Sequence, residues 1–378
     1  MKNEFNLLLS CDRNKKKTFV FEIKLNNSMG LQLFIKQTLF VTLLMALVFT
    51  GYSQKNDSKD TTLEQRQNEF LKWKFGVFFH FGMSTFNNRD WSTGYEDPLI
   101  FDPTKLNCNQ WVKEAKKAGA NYAVLTTKHT DGWCLWDSKY TDHDITAFKN
   151  YKNGKRDIVR EFVEACRKNQ MKVGLYYCLP GDYSANYGNK EDAKRGYKIT
   201  KEQEDLHGLP PEAKGDYEGF IQKQVTELFT QYGRIDIVFM DQYSNKYTEK
   251  YWLQLKALMH KLQPACIIVA NNGQDYQVSD VVSYEYTWLK TVKGRNALPP
   301  DDNIKVSEVS DCIVDGSTWF WNDELNLKLQ NPKAIVDKLK YCNAHKSNYI
   351  LNVQPNREGL IAGEYLETLR KVGELIKE

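Results

Sequence analysis

A chain of 378 residues is long enough to bury a large core, and its 41% hydrophobic and 13% aromatic content is typical of a folded globular protein. The 52 basic and 48 acidic residues are spread along the chain and leave a net charge of +4, so nucleic acid is not expected as a partner. The eight cysteines are scattered without a Cys-x-x-Cys pair, which indicates neither a zinc cage nor a disulfide scaffold.

The N-terminal segment has the pattern of a targeting sequence. Lys36 precedes an apolar run over residues 39–49, and small and polar residues follow, as in a secretory signal peptide. The run is short for a membrane span, and a retained signal anchor is the alternative. We predict an upstream extension before the true start over residues 1–28, a signal peptide over 29–53, and a linker with the entry to the barrel over 54–70. The mature protein is then predicted to be secreted or periplasmic, with no stable membrane anchor.

From Trp73 onward, short apolar runs alternate with longer amphipathic stretches, which predicts a parallel sheet with crossover helices. Strands are predicted over residues 75–80, 122–127, 172–177, 235–240, 266–270, 281–285, 304–310 and 349–353. Helices are predicted over residues 110–118, 156–169, 217–232, 248–262, 332–345 and 362–377. Eight strands indicate a closed (β/α)8 TIM-like barrel over residues 71–378. A doubly wound open sheet is the alternative, but no GxGxxG or GxxxxGK[ST] motif follows the first strand.

Polar residues stand at the ends of the predicted strands, and their positions favour the barrel. The residues concerned, in chain order, are His80, Lys128, His129, Tyr177, Asp241 and Glu285. In a parallel barrel the carboxyl ends of all strands open on one face, where enzymes of this fold build their active sites. We therefore expect these side chains to converge there.

Asp241 follows four apolar residues, 237–240, which predict a strand buried on both faces. A carboxylate at the mouth of such a strand is partly desolvated and rigidly held, which suits a nucleophile. Glycoside hydrolysis with retention needs one carboxylate to attack the anomeric carbon and a second carboxyl group to protonate the leaving oxygen. The alternative is a structural Asp that caps a helix or pairs with a basic neighbour.

Two further segments carry possible sugar ligands. In TTKHTDGW (126–133), Lys128 and His129 can donate hydrogen bonds to sugar hydroxyls, and an Asp-Gly step makes the turn. In FGVFFHFG (75–82), two glycines frame a strand that ends in His80. A structural role for each histidine is the alternative.

Five segments occur together in the order of a known family. They are FGVFFHFG (75–82), YAVLTTKHTDGWCLWDS (122–138), KVGLYYCLPGDY (172–183), IDIVFMD (235–241) and SNYILNVQPNREGLI (347–361). This set resembles glycoside hydrolase family 29, the α-L-fucosidases, over about residues 73–378. The resemblance implies a (β/α) barrel, retention through a covalent fucosyl-enzyme, and no metal or organic cofactor.

The resemblance also implies roles for single residues. Asp241 matches the family's nucleophile, and His80 and His129 match histidines that hold fucose hydroxyls. Trp319 resembles an aromatic residue that packs near the sugar. With these, the residues expected to bind substrate are His80, Lys128, His129, Trp133, Tyr177 and Trp319.

Three carboxyl groups remain candidates for the acid/base, in the order Glu285, Glu308, Asp280. The role demands a raised pKa, hence a dry and aromatic setting, and the neighbouring tyrosines and Trp288 could supply it around Glu285. Glu308 resembles the Glu of a Trp-Glu-x-Cys motif of some relatives, and Asp280 stands where others have Glu.

The chain departs from the family pattern at two positions near the expected site. Thr130 replaces the second His of the usual Lys-His-His-Asp-Gly, and Gln242 replaces the Gly that commonly follows the nucleophile. The C-terminal β-sandwich of many relatives is not expected here.

The predicted function is release of L-fucose from α-linked fucosylated oligosaccharides or glycoconjugates. The alternatives are a fucose-binding barrel without catalysis and a hydrolase of a related sugar, such as an α-galactoside.

Overall fold

The computed structural model describes residues 61–92, 94, 96–179, 216–243, 248–316 and 318–378. The predicted upstream extension, the predicted signal peptide and residues 54–60 of the predicted linker lie outside the described residues. Among the described residues, no helix combines the length and the apolar character that a membrane crossing needs.

Eight strands form one parallel sheet: β1 (Phe75–Phe79), β2 (Tyr122–Lys128), β3 (Lys172–Cys178), β4 (Ile237–Asp241), β5 (Ile267–Ala270), β6 (Val282–Glu285), β7 (Ser307–Cys312) and β8 (Ser347–Asn352). Their order is β5-β4-β3-β2-β1-β8-β7-β6, so β1 pairs with both β2 and β8. The sheet curls into a nearly closed barrel whose seam lies between β5 and β6. The predicted TIM-like barrel is confirmed, and the open doubly wound alternative is wrong.

The helices of the described residues are α1 (Leu63–Leu71), α2 (Met83–Asn87), α3 (Cys108–Lys117), α4 (Ile158–Lys168), α5 (Tyr217–Gln231), α6 (Glu249–Leu262), α7 (Tyr286–Leu289), α8 (Pro332–Ala344) and α9 (Gly363–Lys377). Several begin behind an Asn, Asp or Thr side chain that accepts a hydrogen bond from the first turn, for example Asn107 before α3 and Asp157 before α4. Three helices were not predicted: α1, which begins in the predicted linker segment and ends one residue after it, and the short α2 and α7.

The N-terminal end of the barrel is filled by aromatic side chains. A Cβ on Gly76 would lie 2.3 Å from the Tyr122 ring, so the glycine leaves the space that this ring occupies. Phe70 of α1 and Trp73 pack on Tyr122, with ring centroids 6.1 and 5.6 Å away. Within the described residues these rings close this end, so the C-terminal ends of the strands are where a ligand can reach the barrel axis.

Polar contacts of Asp280 close the seam between β5 and β6. Its backbone N–H donates to the Ile268 carbonyl (2.8 Å), and its carboxylate accepts the Ile268 N–H (3.0 Å). The same carboxylate forms ion pairs with Arg66 (3.3 Å), Lys256 (3.2 Å) and His260 (3.2 Å). Burial alone would raise the pKa of Asp280, but the hydrogen bond and charge of His260, together with Lys256 and Arg66, outweigh it and lower that pKa.

Candidate active site

A cavity of about 680 Å³ opens at the C-terminal ends of the strands, on the face that the sequence predicted. This volume lies within the range of small-molecule sites, about 300–1,000 Å³. The lining combines carboxyl, amide, imidazole and aromatic groups, among them His80, Trp91, His129, Tyr176, Asp241, Asn271, Asn272, Glu285, Trp288 and Trp319. Such a lining can hold a polar ring with apolar faces, such as a sugar.

Asp241 ends β4, and three donors orient its carboxylate at the cavity wall. The Tyr176 hydroxyl donates to Oδ2 at 2.7 Å. The Asn271 Nδ2 (3.0 Å) and the Gln242 backbone N–H (2.8 Å) donate to Oδ1. Since hydrogen bonds reach both oxygens, the carboxylate is held in one orientation, as an attacking group must be.

Glu285 ends β6 and lines the same cavity. Its Oε2 accepts from the Asn272 Nδ2 (3.0 Å), and its backbone N–H donates to the Asn272 Oδ1 (3.1 Å). Burial, and next the negative charge of Asp241, raise the pKa of Glu285 to about 7, against hydrogen bonds from Asn272, Asn271 and Trp319. Glu285 can therefore carry a proton near neutral pH and release it to a reacting oxygen.

The side chain of Asn271, directly after β5, joins the two carboxyl groups. Its Nδ2 donates to Asp241 Oδ1 at 3.0 Å and to Glu285 Oε2 at 3.1 Å. An amide NH2 has two protons, so one nitrogen can serve both oxygens. Asp241 and Glu285 are thus set side by side across one amide group.

His80 and His129 are buried beside this pair. Burial, then the positive charge that His129 would carry when protonated, holds the pKa of His80 well below its ordinary value, and burial lowers the pKa of His129 to about 4 against the attraction of Asp241. Both rings are therefore neutral near pH 7. Asn352 donates through Nδ2 to the Trp319 carbonyl (2.7 Å), so its Oδ1 accepts the His80 Nδ1 proton (2.8 Å). The His80 Nε2 is then left as an acceptor for a hydroxyl group.

Trp319 forms an aromatic wall, with its ring 5.0 Å from that of His80. Asp90 holds the segment that carries it, because its Oδ1 accepts the backbone N–H groups of Trp319 (2.8 Å) and Phe320 (3.0 Å). Burial raises the pKa of Asp90 to about 6, although these two hydrogen bonds act against it. The sequence indicated Trp319 but not its support.

Three residues expected to bind substrate do not line the cavity. The Lys128 Nζ donates to the Tyr177 hydroxyl (2.9 Å), which donates to Gln224 of α5 (2.8 Å), so this chain of contacts lies between barrel and helix layer. Trp133 is buried and stacks on His143, with ring centroids 3.5 Å apart. We therefore do not propose Lys128, Trp133 or Tyr177 as sugar contacts.

Side chains alternate along a strand, which explains two of these placements. Tyr176 faces the barrel axis and Asp241, so its neighbour Tyr177 must face the helices. In β2 the register with β3 shifts between Thr126 and Lys128, which turns Lys128 outward as well. The sequence prediction chose polar residues near the strand ends without the register that shows which of them face the barrel axis.

Of the three acid/base candidates, Glu285 alone lines the cavity. Glu308 is fully buried inside the barrel, and its Oε1 accepts the Ser283 hydroxyl at 2.5 Å. Burial raises the pKa of Glu308 to about 8, but the side chain does not line the cavity. Asp280 is fully buried at the seam among three basic side chains, where its lowered pKa is the reverse of what an acid needs. We therefore do not propose Asp280 as the acid/base.

Comparison with known proteins identifies the family. A family model described as alpha-L-fucosidase matches residues 91–378. The chain belongs to the alpha-L-fucosidase family. Alpha-L-fucosidase 1 of Arabidopsis thaliana is 32% identical over 327 residues, 81% of this chain, and plasma alpha-L-fucosidase of Homo sapiens is 24% identical over 343 residues, 82% of this chain. The chain spans 59% of the Arabidopsis relative's length and 67% of the human relative's.

Solved structures of alpha-L-fucosidases share the barrel. Isoenzyme 1 of Paenibacillus thiaminolyticus aligns with a TM-score of 0.65 at 27% identity and covers 83% of this chain and 76% of that one. The unliganded alpha-L-fucosidase of Lactobacillus casei aligns with a TM-score of 0.64 at 22% identity, over 82% of this chain and 98% of that one. The latter likeness concerns the fold alone.

The structure shows the surroundings of Gln242 and Thr130, the two residues that depart from the alpha-L-fucosidase pattern. Gln242 has φ 58°, the left-handed region where glycine is unstrained, so a Gly at this position would fit the same backbone. Thr130 is buried, and its hydroxyl lies 3.2 Å from the His129 Nδ1. Thr130 therefore acts on the orientation of His129 and does not itself line the cavity.

Proposed function

We propose that this protein is a retaining exo-glycoside hydrolase that releases L-fucose from α-linked fucosylated glycans. Asp241 is the nucleophile and Glu285 the acid/base in this proposal. One observation carries the proposal. In a member of the alpha-L-fucosidase family, the Asn271 side-chain amide donates hydrogen bonds to both Asp241 and Glu285 at the wall of the cavity. A fucose-binding barrel without catalysis has no need of such a pair.

The spacing of the two carboxyl groups supports retention. Asp241 Oδ1 and Glu285 Oε2 lie 3.0 and 3.1 Å from the same Asn271 nitrogen, so they are no farther apart than the sum of these distances. Retaining glycosidases hold the two carboxyl groups about 5–5.5 Å apart, whereas inverting glycosidases need about 6.5–9.5 Å to admit a water molecule, so a pair whose nearest oxygens share one donor nitrogen favours retention. Direct attack by Asp241 is therefore the favoured route.

In the first step, an Asp241 oxygen bonds to the anomeric carbon while the bond to the leaving oxygen breaks and Glu285 gives that oxygen its proton. The resulting ester removes the negative charge that helped to raise the pKa of Glu285. That pKa falls, so Glu285 takes a proton from the attacking water in the second step. The water oxygen bonds to the anomeric carbon and the ester bond breaks, which restores both groups.

Neutral imidazoles and aromatic rings of the cavity suit a deoxy sugar. His80 and His129 can exchange hydrogen bonds with hydroxyl groups, while Trp319, Phe78 and Phe239 offer apolar surface. L-Fucose carries a methyl group where L-galactose carries a hydroxymethyl group. An apolar pocket rejects an added hydroxyl only by about a hundredfold, so slow cleavage of the matching galactoside is expected.

Azide distinguishes the two proposed roles through the configuration of the product. Glu285→Ala still forms the fucosyl-enzyme from a 4-nitrophenyl fucoside, and azide then opens it from the other face to give the α-fucosyl azide. In Asp241→Gly, azide occupies the place of the carboxylate and attacks the substrate directly, which gives the β-fucosyl azide.

Proton NMR of the isolated azides reads the configuration, and thermal unfolding confirms that both variants fold. Wild-type-like hydrolysis by Asp241→Gly without azide, or an α-azide from that variant, would remove Asp241 from the mechanism.

A further inference from the structure

A chain of buried hydrogen bonds runs from Glu308 inside the barrel to Glu285 at the cavity. Ser283 of β6 and Glu308 of β7 are register partners, and the Ser283 hydroxyl donates to Glu308 Oε1 at 2.5 Å. The same hydroxyl oxygen accepts the backbone N–H of Asn272 at 3.1 Å. Since a hydroxyl has one proton, its donation to Glu308 aims the oxygen lone pairs at Asn272.

Asn272 in turn forms two hydrogen bonds with Glu285. Its Nδ2 donates to Glu285 Oε2, and its Oδ1 accepts the Glu285 backbone N–H. Asn272 has φ 59°, a left-handed conformation that asparagine adopts more readily than most non-glycine residues. The Ser283 hydroxyl, held by Glu308, thus supports the backbone of the residue that orients the acid.

The surroundings of Glu308 favour this use over an ion pair. It is fully buried, and no basic side chain of the described ranges pairs with it. Within those ranges its Oε2 has no hydrogen-bond partner. A buried ionised carboxylate in such a place would cost far more than a neutral acid, so Glu308 offers an uncharged acceptor to Ser283.

We propose that Glu308 is a positioning residue for the acid Glu285 and acts through Ser283 and Asn272. This inference rests on the proposed function, in which Glu285 protonates the leaving group. Its consequence is selective: loss of the support should impair cleavage where the leaving group needs a proton and spare cleavage where it does not.

The test compares kcat/KM, which reports the first chemical step, for a 4-methoxyphenyl and a 4-nitrophenyl α-L-fucoside. General acid catalysis contributes about 100- to 10,000-fold, so Ser283→Ala and Glu308→Ala should lower kcat/KM for the methoxyphenyl substrate at least about tenfold. The nitrophenyl substrate should lose less than about threefold, because its leaving group departs without full protonation. Glu308→Gln keeps a neutral acceptor oxygen and should restore the wild-type ratio.

Ser307→Ala is the matched control. Ser307 is the buried residue before Glu308, and its hydroxyl has no hydrogen-bond partner in the described part of the chain, so this variant should leave the ratio of the two substrates unchanged. Equal losses on both substrates in Ser283→Ala, or Glu308→Gln as impaired as Glu308→Ala, would overturn the inference alone. A wild-type protein that cleaves neither fucoside would overturn the proposed function and this inference with it.

Discussion

The proton on Glu285 sets the expected pH dependence. Its pKa of about 7 belongs to the free protein, which is the state that kcat/KM reports. As pH rises through this value the acid loses its proton, so kcat/KM for a 4-methoxyphenyl fucoside should fall about tenfold per pH unit above about 7. Initial rates from pH 4 to pH 9 measure this limb.

Glu285→Gln serves as the control for this limb. The amide does not titrate, so residual activity of the variant should no longer fall along the same curve. If the alkaline limb persists unchanged in Glu285→Gln, another group supplies the proton.

Gln242 offers a second prediction, because a non-glycine residue in the left-handed region costs about 1–2 kcal/mol. Gln242→Gly removes this strain but adds freedom to the unfolded chain, so its free energy of unfolding should stay within about 1 kcal/mol of wild type. Gln242→Val should lower it by about 1 kcal/mol or more, since a β-branched side chain fits this region poorly. Urea unfolding measures both.

The activity of Gln242→Gly decides whether the departure from the family pattern matters to the reaction. The backbone N–H that orients Asp241 is kept, so fucoside hydrolysis should remain near the wild-type rate. A large loss in this variant would mean that the Gln242 side chain itself contacts the sugar.

Sequence reasoning found those site residues that follow a strand with a strong apolar run. Asp241 and Glu285 both end such runs, and the structure brings them together. The same rule applied to β5 would have indicated Asn271, but an Asn after a strand is typical of an ordinary turn as well. Tyr176 was missed because inward and outward tyrosines adjoin, and only the strand register separates them.

At the scale of elements, the contacts of Asp280 replace part of the missing ladder between β5 and β6. Asp280→Asn would leave Arg66 and Lys256, both nearly buried, without their counter-charge. Breaking a buried ion pair in this way costs about 3–5 kcal/mol, so the free energy of unfolding at pH 7 should fall by that order. Turnover per folded molecule should stay near wild type, which would separate Asp280 from the acid/base role.

An exposed pair provides the comparison for Asp280. Asp337 pairs with Lys333 on α8, and Asp337→Asn should change stability by less than about 1 kcal/mol. Because the pKa of Asp280 is lower in the folded than in the unfolded chain, its contribution is present above an unfolded pKa of about 4. It is lost as pH falls through the folded value, so wild type and Asp280→Asn should converge in acid.

At the scale of the whole molecule, the barrel could be predicted because its signals are repeated eight times. Most strands are short apolar runs, although β7 (Ser307–Cys312) is largely polar, and most crossover helices begin at a capping side chain that the sequence displays, such as Asn107. α1 could not be predicted, since its role depends on distant partners: Phe70 packs on Tyr122, and Arg66 pairs with Asp280. Local polarity alone resembled a linker.

We also propose that the chain is exported and that residues 29–53 are removed. Expression in a Gram-negative host should then give a protein outside the cytoplasm whose N-terminus lies near Gln54, as N-terminal sequencing would report. Leu43→Arg breaks the apolar run and should keep the protein unprocessed and inside. An exported protein that retains the apolar run would indicate the signal anchor instead.

The seam between β5 and β6 lacks strand pairing, which makes it a weak point of the barrel, and it lies where the chemistry is proposed. Asp241 ends β4 and Asn271 follows β5 on one side of the seam, and Glu285 ends β6 on the other. The side-chain amides of Asn271 and Asn272 therefore span the seam where no strand ladder does. A slight widening there would pull the proton donor away from the attacking oxygen while every other strand stays paired. Raising the temperature should therefore abolish activity before the protein unfolds. The first structural change should be separation of β5 from β6 rather than global unfolding.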